Sequence, residues 1–434
     1  MIPTIIIASI TFILTILSIF LFPRIKFGKK FSIQTFWVIA LLGAIAMLIA
    51  QSVSMHDVVS GLTSDTKINP LKILVLFFSM TFISIFLDGA GLFEYLANKS
   101  VKNAGKSQYR LFIIIFILVS ILTIFTSNDI VILTFTPIIC YFTKRTKINP
   151  LPYLVAEFAA ANTWSMMLII GNPTNIYLAT NAGITFVDYF KVMAVPTILT
   201  GIGELGLLLF IFRKQLSIKL ENGVSKDTHI NKTDCIIGLI VLFTCLIMMI
   251  ISSYTDFIEM WVISLISVGV LIALMIVKSI ISFEDMKSYA SEFKRLPYSL
   301  IPFVISMFVI VLSLQKQEIT TNIASFLGES LPILKYGTLS FASANIINNI
   351  PMSILFSSII PHSSEIYLKA TYASIVGSNI GAFLTPIGAL AGIMFTSLLN
   401  KNNVNYSFGS FVKYGAIISI PCLAISLASL LLFI

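Results

Sequence analysis

Four short polar clusters interrupt otherwise apolar runs, and these are the residues best placed to do chemistry. They are Ser127-Asn128-Asp129; Asn162-Thr163 with Gly171-Asn172-Pro173-Thr174-Asn175; Asn348-Asn349; and Ser378-Asn379 with Thr385-Pro386. Asparagine carries a donor and an acceptor on one short side chain, and hydroxyls do both. That combination suits a hydroxylated or partly hydrated solute. Buried amides also tie membrane helices together with no further role. Their coincidence with helix-breaking residues, at corresponding places in both halves, favours binding. The candidate substrate- or ion-binding set is Ser127, Asn128, Asp129, Asn162, Thr163, Gly171, Asn172, Thr174, Asn175, Asn348, Asn349, Ser378, Asn379 and Thr385.

Four carboxylates lie within or beside apolar runs: Asp88, Asp129, Glu157 and Glu204. A charged side chain at mid-bilayer costs roughly 2.5–3.5 kcal/mol on insertion scales, so each needs a reason. Asp129, Asp88 and Glu157 are the coupling candidates. Asp129, in a turn, suits a proton, a cation or a substrate hydroxyl. Asp88 could equally cap or snorkel, Glu157 could equally sit in an ion pair, and Glu204 ranks last. A fixed negative charge at Asp129 disfavours a di- or tricarboxylate unless cations neutralise it.

The surrounding elements must be membrane helices. Of 434 residues 57% are hydrophobic and 11% charged, against about 25% charged in soluble domains. Apolar runs near the ~20 residues needed to span occupy 3–22, 35–51, 71–91, 194–212, 235–254, 257–278, 298–314 and 410–433. The run at 3–22 lacks a basic flank and a cleavage site, so it reads as a span and not a signal peptide. Runs 150–178 and 366–398 are broken by Gly, Pro, Asn and Thr, and 111–143 and 333–360 carry polar centres. After Asn349, eleven residues reach Ile360. They extend only ~17 Å as helix, too short for a ~30 Å core. That segment is expected to be a re-entrant hairpin. The 111–143 run has arms near fifteen residues and is assigned as a hairpin by symmetry.

Lys and Arg set the orientation. Segments 23–34, 93–110, 141–150, 213–234, 278–296 and 398–413 hold 22 of the 28 basic residues, which marks them cytoplasmic and puts both termini outside. This asymmetry accounts for the net charge of +9 without nucleic acid. The expected location is the plasma membrane.

The halves repeat. Asn162 precedes Gly171 and Asn379 precedes Gly388 by equal intervals; SNDIVILTFTPII parallels NNIPMSILFSSII, and FVDYFK parallels FGSFVK. An odd five spans and one hairpin per half invert the second repeat. The expected fold is an all-α polytopic membrane protein of two inverted repeats, each with five transmembrane spans (one broken) and one re-entrant hairpin. Repeat one covers 1–212 and repeat two 235–434, with a cytoplasmic linker at 213–234. Inverted repeats with broken helices place transporter sites near the midplane, where unwound backbone persists only against protein or a solute.

At LDGAGLFEYLA (87–97), NDIVILTFTPI (128–138), ANTWSMMLIIGNPTN (161–175) and GSNIGAFLTPIGALAG (377–392) the sequence resembles the ion transporter superfamily. The similarity is to its arsenite/antimonite permease and Na+/H+ antiporter-like branch, related to divalent anion:sodium symporters, over nearly the whole chain. The resemblance implies a secondary active transporter of a small inorganic oxyacid or anion such as arsenite or antimonite, driven by protons or sodium. It also implies a homodimer with elevator-like movement. A Na+/H+ antiporter and a Na+-coupled dicarboxylate or citrate transporter are the alternatives within the group. Trp164 stands where glycine is common, Asn172 replaces an acidic residue, and the second hairpin reads Asn-Asn-Ile-Pro, so substrate and coupling ion stay open.

Other classes lack their residues. No H-E-x-x-H or G-x-S-x-G occurs, so no catalytic residue and no enzyme is expected. SVKNAGKS has Ser100 where a phosphate loop needs glycine, and reads as a basic cytoplasmic loop. The four cysteines lack ligand spacing, and His56, His229 and His362 fall in expected loops, so no metal and no cofactor beyond a coupling Na+ or H+ is expected. The expected partners are a small-molecule or ion substrate and the lipid bilayer. A passive channel is the rival outside the carriers.

Overall fold

The structure is a computed structural model describing residues 1–27, 31–64, 69–220, 230–255, 257–282, 287–361 and 366–434. The chain begins with α1 (Ile2–Leu21), β1 (Arg24–Phe27), β2 (Phe31–Gln34), α2 (Thr35–Ile49), α3 (Met55–Thr63) and α4 (Pro70–Gly89). Next come α5 (Leu92–Ala104), α6 (Gln108–Phe125), α7 (Asn128–Thr146), α8 (Leu151–Trp164), a 3₁₀ turn (Ile169–Gly171) and α9 (Pro173–Asn181). Then follow α10 (Phe186–Leu216), α11 (Lys232–Thr255), α12 (Met260–Ser282), α13 (Lys287–Phe293), α14 (Leu300–Lys316) and α15 (Ile319–Leu327). The last are α16 (Pro332–Ile347), α17 (Asn349–Ile359), α18 (Tyr367–Gly381), α19 (Leu390–Lys401) and α20 (Phe408–Leu430).

Among the described residues seven helices are long and apolar enough to cross a bilayer, or eight if α14 and α15, bent by 74°, form one broken span. The chain is a multi-pass helical membrane protein. Its outer helices show it: Ile240, Ile247, Ile266, Ile280 and Ile281 on α11 and α12 are exposed, as suits a lipid-facing surface. The inner helices are buried, with all but a few residues of α8, α17 and α18 inside.

Several elements depart from expectation. An antiparallel ribbon, β1 with β2 and Arg24 opposite Gln34, joins α1 to α2; its Arg and Lys content hid it within a basic loop. The stretch at 100–107 is not a loop, since α5 runs to Ala104 and Ser107 caps α6. The span expected at 194–212 is the 31-residue α10, because Thr185 accepts from the Asp188 amide and starts the helix early. That early start absorbs FVDYFK. The expected linker is helical at both ends, through Leu216 and from Lys232; its 221–229 stretch lies outside the described residues. His56 is not in a loop but exposed on α3, a helix begun by the reciprocal Ser54–Asp57 capping box. His229 and His362 lie outside the described residues.

The first polar-centred run folds as a helical hairpin. Tyr153, near the start of α8, hydrogen-bonds Gln108 Oε1 at 3.1 Å and packs edge-on to Phe142 with centroids 5.4 Å apart. The outer ends of α6 and α7 therefore meet at one place. Along α7, contacts with α8 run antiparallel, from Asn128–Asn162 through Thr136–Glu157 to Phe142–Tyr153. The hairpin tip thus sits level with the end of α8. The arms are longer than expected, 18 and 19 residues, or ~27–29 Å of helix. The second hairpin has arms of 16 and 11 residues.

Packing crosses between the halves. The return arm α7 lies against α19, α17 lies against α9, and α10 pairs with α20. Helices α16 and α18 approach unusually closely. A Cβ on Gly377 would fall 2.0 Å from Ser340 Oγ and 2.3 Å from the Gly337 carbonyl oxygen. Apolar burial drives no association within lipid, so such small-residue contacts and polar ties hold the helices together.

Candidate functional site

Two helices unwind where the polar motifs lie: α8 gives way at Ser165 and resumes as α9, and α18 gives way at Ala382 and resumes as α19. The first resumption is coded locally. There, Pro173 occupies the first helical position and Asn172 Oδ1 accepts from the Thr174 amide at 3.2 Å, a strong start signal. Each break also turns tightly on a glycine. A Cβ on Gly171 would sit 2.4 Å from the Ser165 carbonyl, and one on Gly388 2.6 Å from the Gly381 carbonyl.

Asn379 joins the two breaks. Its Oδ1 accepts from Asn172 Nδ2 at 2.9 Å and lies 2.9 Å from Ser165 Oγ. Its Nδ2 donates to Asn175 Oδ1 at 2.6 Å and to the Ile375 carbonyl at 2.8 Å. Asn175 in turn donates to the Ser165 carbonyl at 2.8 Å. All these residues are buried. The amides are satisfied by each other, so this group is a cross-tie.

Each hairpin tip is fastened to a neighbouring break. Asn128 Nδ2 donates to Asn162 Oδ1 at 3.3 Å, and Asn162 donates to the Phe158 carbonyl at 2.7 Å. On the second hairpin Asn348 Nδ2 donates to the Ile387 carbonyl at 2.8 Å, and the Asn349 amide bonds the Gly388 carbonyl at 3.1 Å. Thr385 donates through its hydroxyl to Asn345 Oδ1 at 2.7 Å, while Asn345 donates to the Gly381 carbonyl at 3.0 Å.

A few polar groups in this region are left over. The hydroxyls of Ser127, Thr163 and Ser378 are buried without a hydrogen-bond partner. Each is next in sequence to an asparagine of the ties. Asp129, half-buried at the first tip, shows only its own backbone amide engaged, by Asn128 Oδ1. Unpaired buried hydroxyls cost free energy, and a hydroxylated ligand would complete them. Among the described residues no Lys, Arg or His side chain is buried.

The other carboxylates divide by their partners. Asp88 accepts from Thr134 Oγ1 at 2.9 Å and forms an ion pair with Arg295. It ties α4 to the first hairpin. Glu157 is wholly buried and takes the Thr136 hydroxyl at 2.9 Å. Glu204, the last-ranked, is wholly buried with neither oxygen hydrogen-bonded.

The citrate transporter family profile matches residues 31–373, from β2 into α18. The chain belongs to the citrate transporter family. Similar relatives include the arsenical pump membrane protein of Escherichia coli K12, 27% identical over 82% of this chain and 85% of that protein. A 46 kDa membrane protein of Mycobacterium leprae is 24% identical over 91% of this chain and 92% of its own length. Among solved structures, the Alcanivorax borkumensis YdaH transporter superposes with a TM-score of 0.58 at 14% identity, covering 99% of this chain and 98% of that one. The likeness extends the shared fold over the whole chain. This citrate transporter family member is a secondary transporter embedded in a membrane, acting on an ion or small molecule.

Within this family member, the sequence missed Ser165 and Asn345 and ranked Glu204 last among the four carboxylates. Asn345 lies three residues before Asn348, on the same helical face, and that spacing was the available signal. Ser165 carries no such mark in the sequence.

Proposed function

We propose that this protein carries a small, neutral, hydroxylated oxyacid of the arsenite or antimonite type across the plasma membrane, coupled to protons or sodium. The observation that carries the reading is the set of unpartnered groups at the breaks, Ser127, Thr163 and Ser378 with Asp129 beside them, with no buried Lys, Arg or His among the described residues. A neutral trihydroxide both donates and accepts, so it answers hydroxyls and a carboxylate together. A di- or tricarboxylate would need a positive charge that the buried core does not supply. The relatives named for arsenical transport favour the same substrate.

The repeat reading has support from corresponding contacts: α7 on α19 against α17 on α9, α10 beside α20, and Gly171 matched by Gly388. On this reading both hairpins are re-entrant, the termini are non-cytoplasmic, and the protein is a homodimer whose hairpins and broken helices move together as an elevator. The exposed faces of α11 and α12 leave apolar surface for lipid or a second copy.

The test is counterflow in proteoliposomes loaded with arsenite, antimonite, silicate, citrate or succinate. Arsenite or antimonite uptake accelerated by the same solute inside supports the reading. Acceleration by citrate alone would transfer it to the carboxylate branch, a result favoured by the family's name. Flux without acceleration would make the protein a channel.

A further inference from the structure

We propose that Glu204 on α10 is the proton-binding site of this carrier, separate from the asparagine ties and reporting to them through Thr163. The inference rests on the carrier reading above and adds the coupling ion and its residue.

Glu204 lies twelve residues before the end of the 31-residue α10, so ~18 Å from that end and near the helix middle. It is wholly buried, and neither carboxyl oxygen has a partner. An ionised carboxylate in such a place is costly, and taking up a proton removes the cost. A structural glutamate would be expected to have a cation or several donors around it. This one has neither.

Its neighbours connect it to the site. On α8, Thr163 Oγ1 faces the carboxyl without completing a hydrogen bond. One turn away, the Trp164 ring lies against Gly201, where a Cβ would come within 2.4 Å, and the indole N–H is also unpartnered. On α20, Cys422 faces Glu204. One turn along, Thr200 and Ser426 share a hydroxyl contact at 2.6 Å, and Ser419 Oγ is unpartnered.

The titratable groups on the packed elements are otherwise engaged or distant. Glu157 on α8 holds Thr136, and Tyr153 is at the far end of that helix beside Gln108. On α6, Tyr109 bonds the Arg213 carbonyl, at the end of α10, and Arg110 is its neighbour. On α11, Cys235 and Cys245 turn toward α4, and Asp234 pairs with Lys278. Tyr414 on α20 packs on Phe212, two turns beyond Glu204. The 3₁₀ turn has no titratable residue.

Thr163 makes the link. It follows Asn162, which holds the first hairpin tip through Asn128. A threonine hydroxyl accepts from a protonated carboxyl and donates to an ionised one. The step is a proton transfer alone: the carboxylic acid gives its proton to water entering from one side, becomes a carboxylate, and takes a proton back from the other side. The reversal of the Thr163 hydroxyl passes that change to the turn carrying Asn162.

The experiment compares wild type with Glu204→Gln in proteoliposomes, using antimonite as the probe. Glutamine matches the protonated acid in shape. Uptake driven by a pH gradient should fall at least tenfold, while exchange at equal pH persists. Undiminished gradient-driven uptake in the variant overturns the proposal. A second readout is independent of substrate. The infrared band of a protonated carboxylic acid at pH 7, measured in a Glu157→Gln, Glu292→Gln background, should lose most of its intensity on adding Glu204→Gln; an undiminished band overturns it. If the triple variant does not fold, the Glu157→Gln, Glu292→Gln protein still decides, because absence of any such band there excludes a protonated Glu204. Failure of wild type to move antimonite would sink the substrate reading and leave the infrared comparison to judge Glu204.

Discussion

Ser378 and Asn379 are consecutive, both fully buried, and should behave in opposite ways. Asn379→Ala removes the bonds to Asn172 and Asn175 that join the two breaks, at 2.9 and 2.6 Å. Hydrogen bonds between membrane helices are worth about 0.6 kcal/mol on average and up to about 1.7. Two of them put the loss at about 1–3 kcal/mol. Ser378→Ala removes a buried hydroxyl with no partner, so stability should stay level with or above wild type. If that hydroxyl meets the substrate, losing one hydrogen bond of about 0.5–1.5 kcal/mol raises the counterflow KM by roughly 2–13-fold. Stability is read from unfolding midpoints in mixed micelles, and KM from antimonite counterflow. An Asn379→Ala protein as stable as wild type would refute the cross-tie. A Ser378→Ala protein that is strongly destabilised would refute the division of labour between the two residues.

Three further outcomes follow from the same contacts. Thr136→Val strips the hydroxyl from Glu157 and should destabilise the protein by about 1–3 kcal/mol, with partial recovery in the Thr136→Val, Glu157→Gln double variant; an additive loss in unfolding midpoint would count against the pair. Gly377→Leu puts a side chain where even a Cβ lies 2.0 Å from Ser340 Oγ, costing about 2 kcal/mol or more, and a normal yield of monodisperse protein would contradict that close approach. Burial beside α4 holds the Glu292 carboxyl up at about 8, with nearby Asp234 and Asp88 adding to the shift against the opposing Arg295. Because its folded value is raised, its favourable contribution is complete below about 4.5 and is lost as pH rises through about 8. Hydrogen exchange across α13 should therefore quicken from pH 7 to 9 after correction for the intrinsic rate, and Glu292→Gln should remove that dependence.

Much of this architecture was legible because membrane helices announce themselves by length and apolarity. The breaks were legible because Gly, Pro and Asn coincide there. Asn172 and Pro173 wrote a helix start that the structure contains. What the sequence hid depends on partners far along the chain. Asn379 reads as a ligand until its amide is found spent on Asn172 and Asn175, more than 200 residues away. Asp88 reads as a coupling acid until Arg295 is found beside it. Glu204 reads as incidental until both its carboxyl oxygens are found buried without a hydrogen bond. Amphipathic α3 and α15 escaped because they are nine residues each, well short of a span.

The central claim is that the polar breaks, deep within the bilayer, receive the transported solute. Imaging the protein in lipid nanodiscs with antimonite tests it most directly, because antimony scatters far more strongly than protein atoms. Density beside Ser127 and Asp129, at the level where α8 unwinds, is the predicted result. Antimonite bound only at an exposed loop, with that junction empty at saturating concentration, would contradict it.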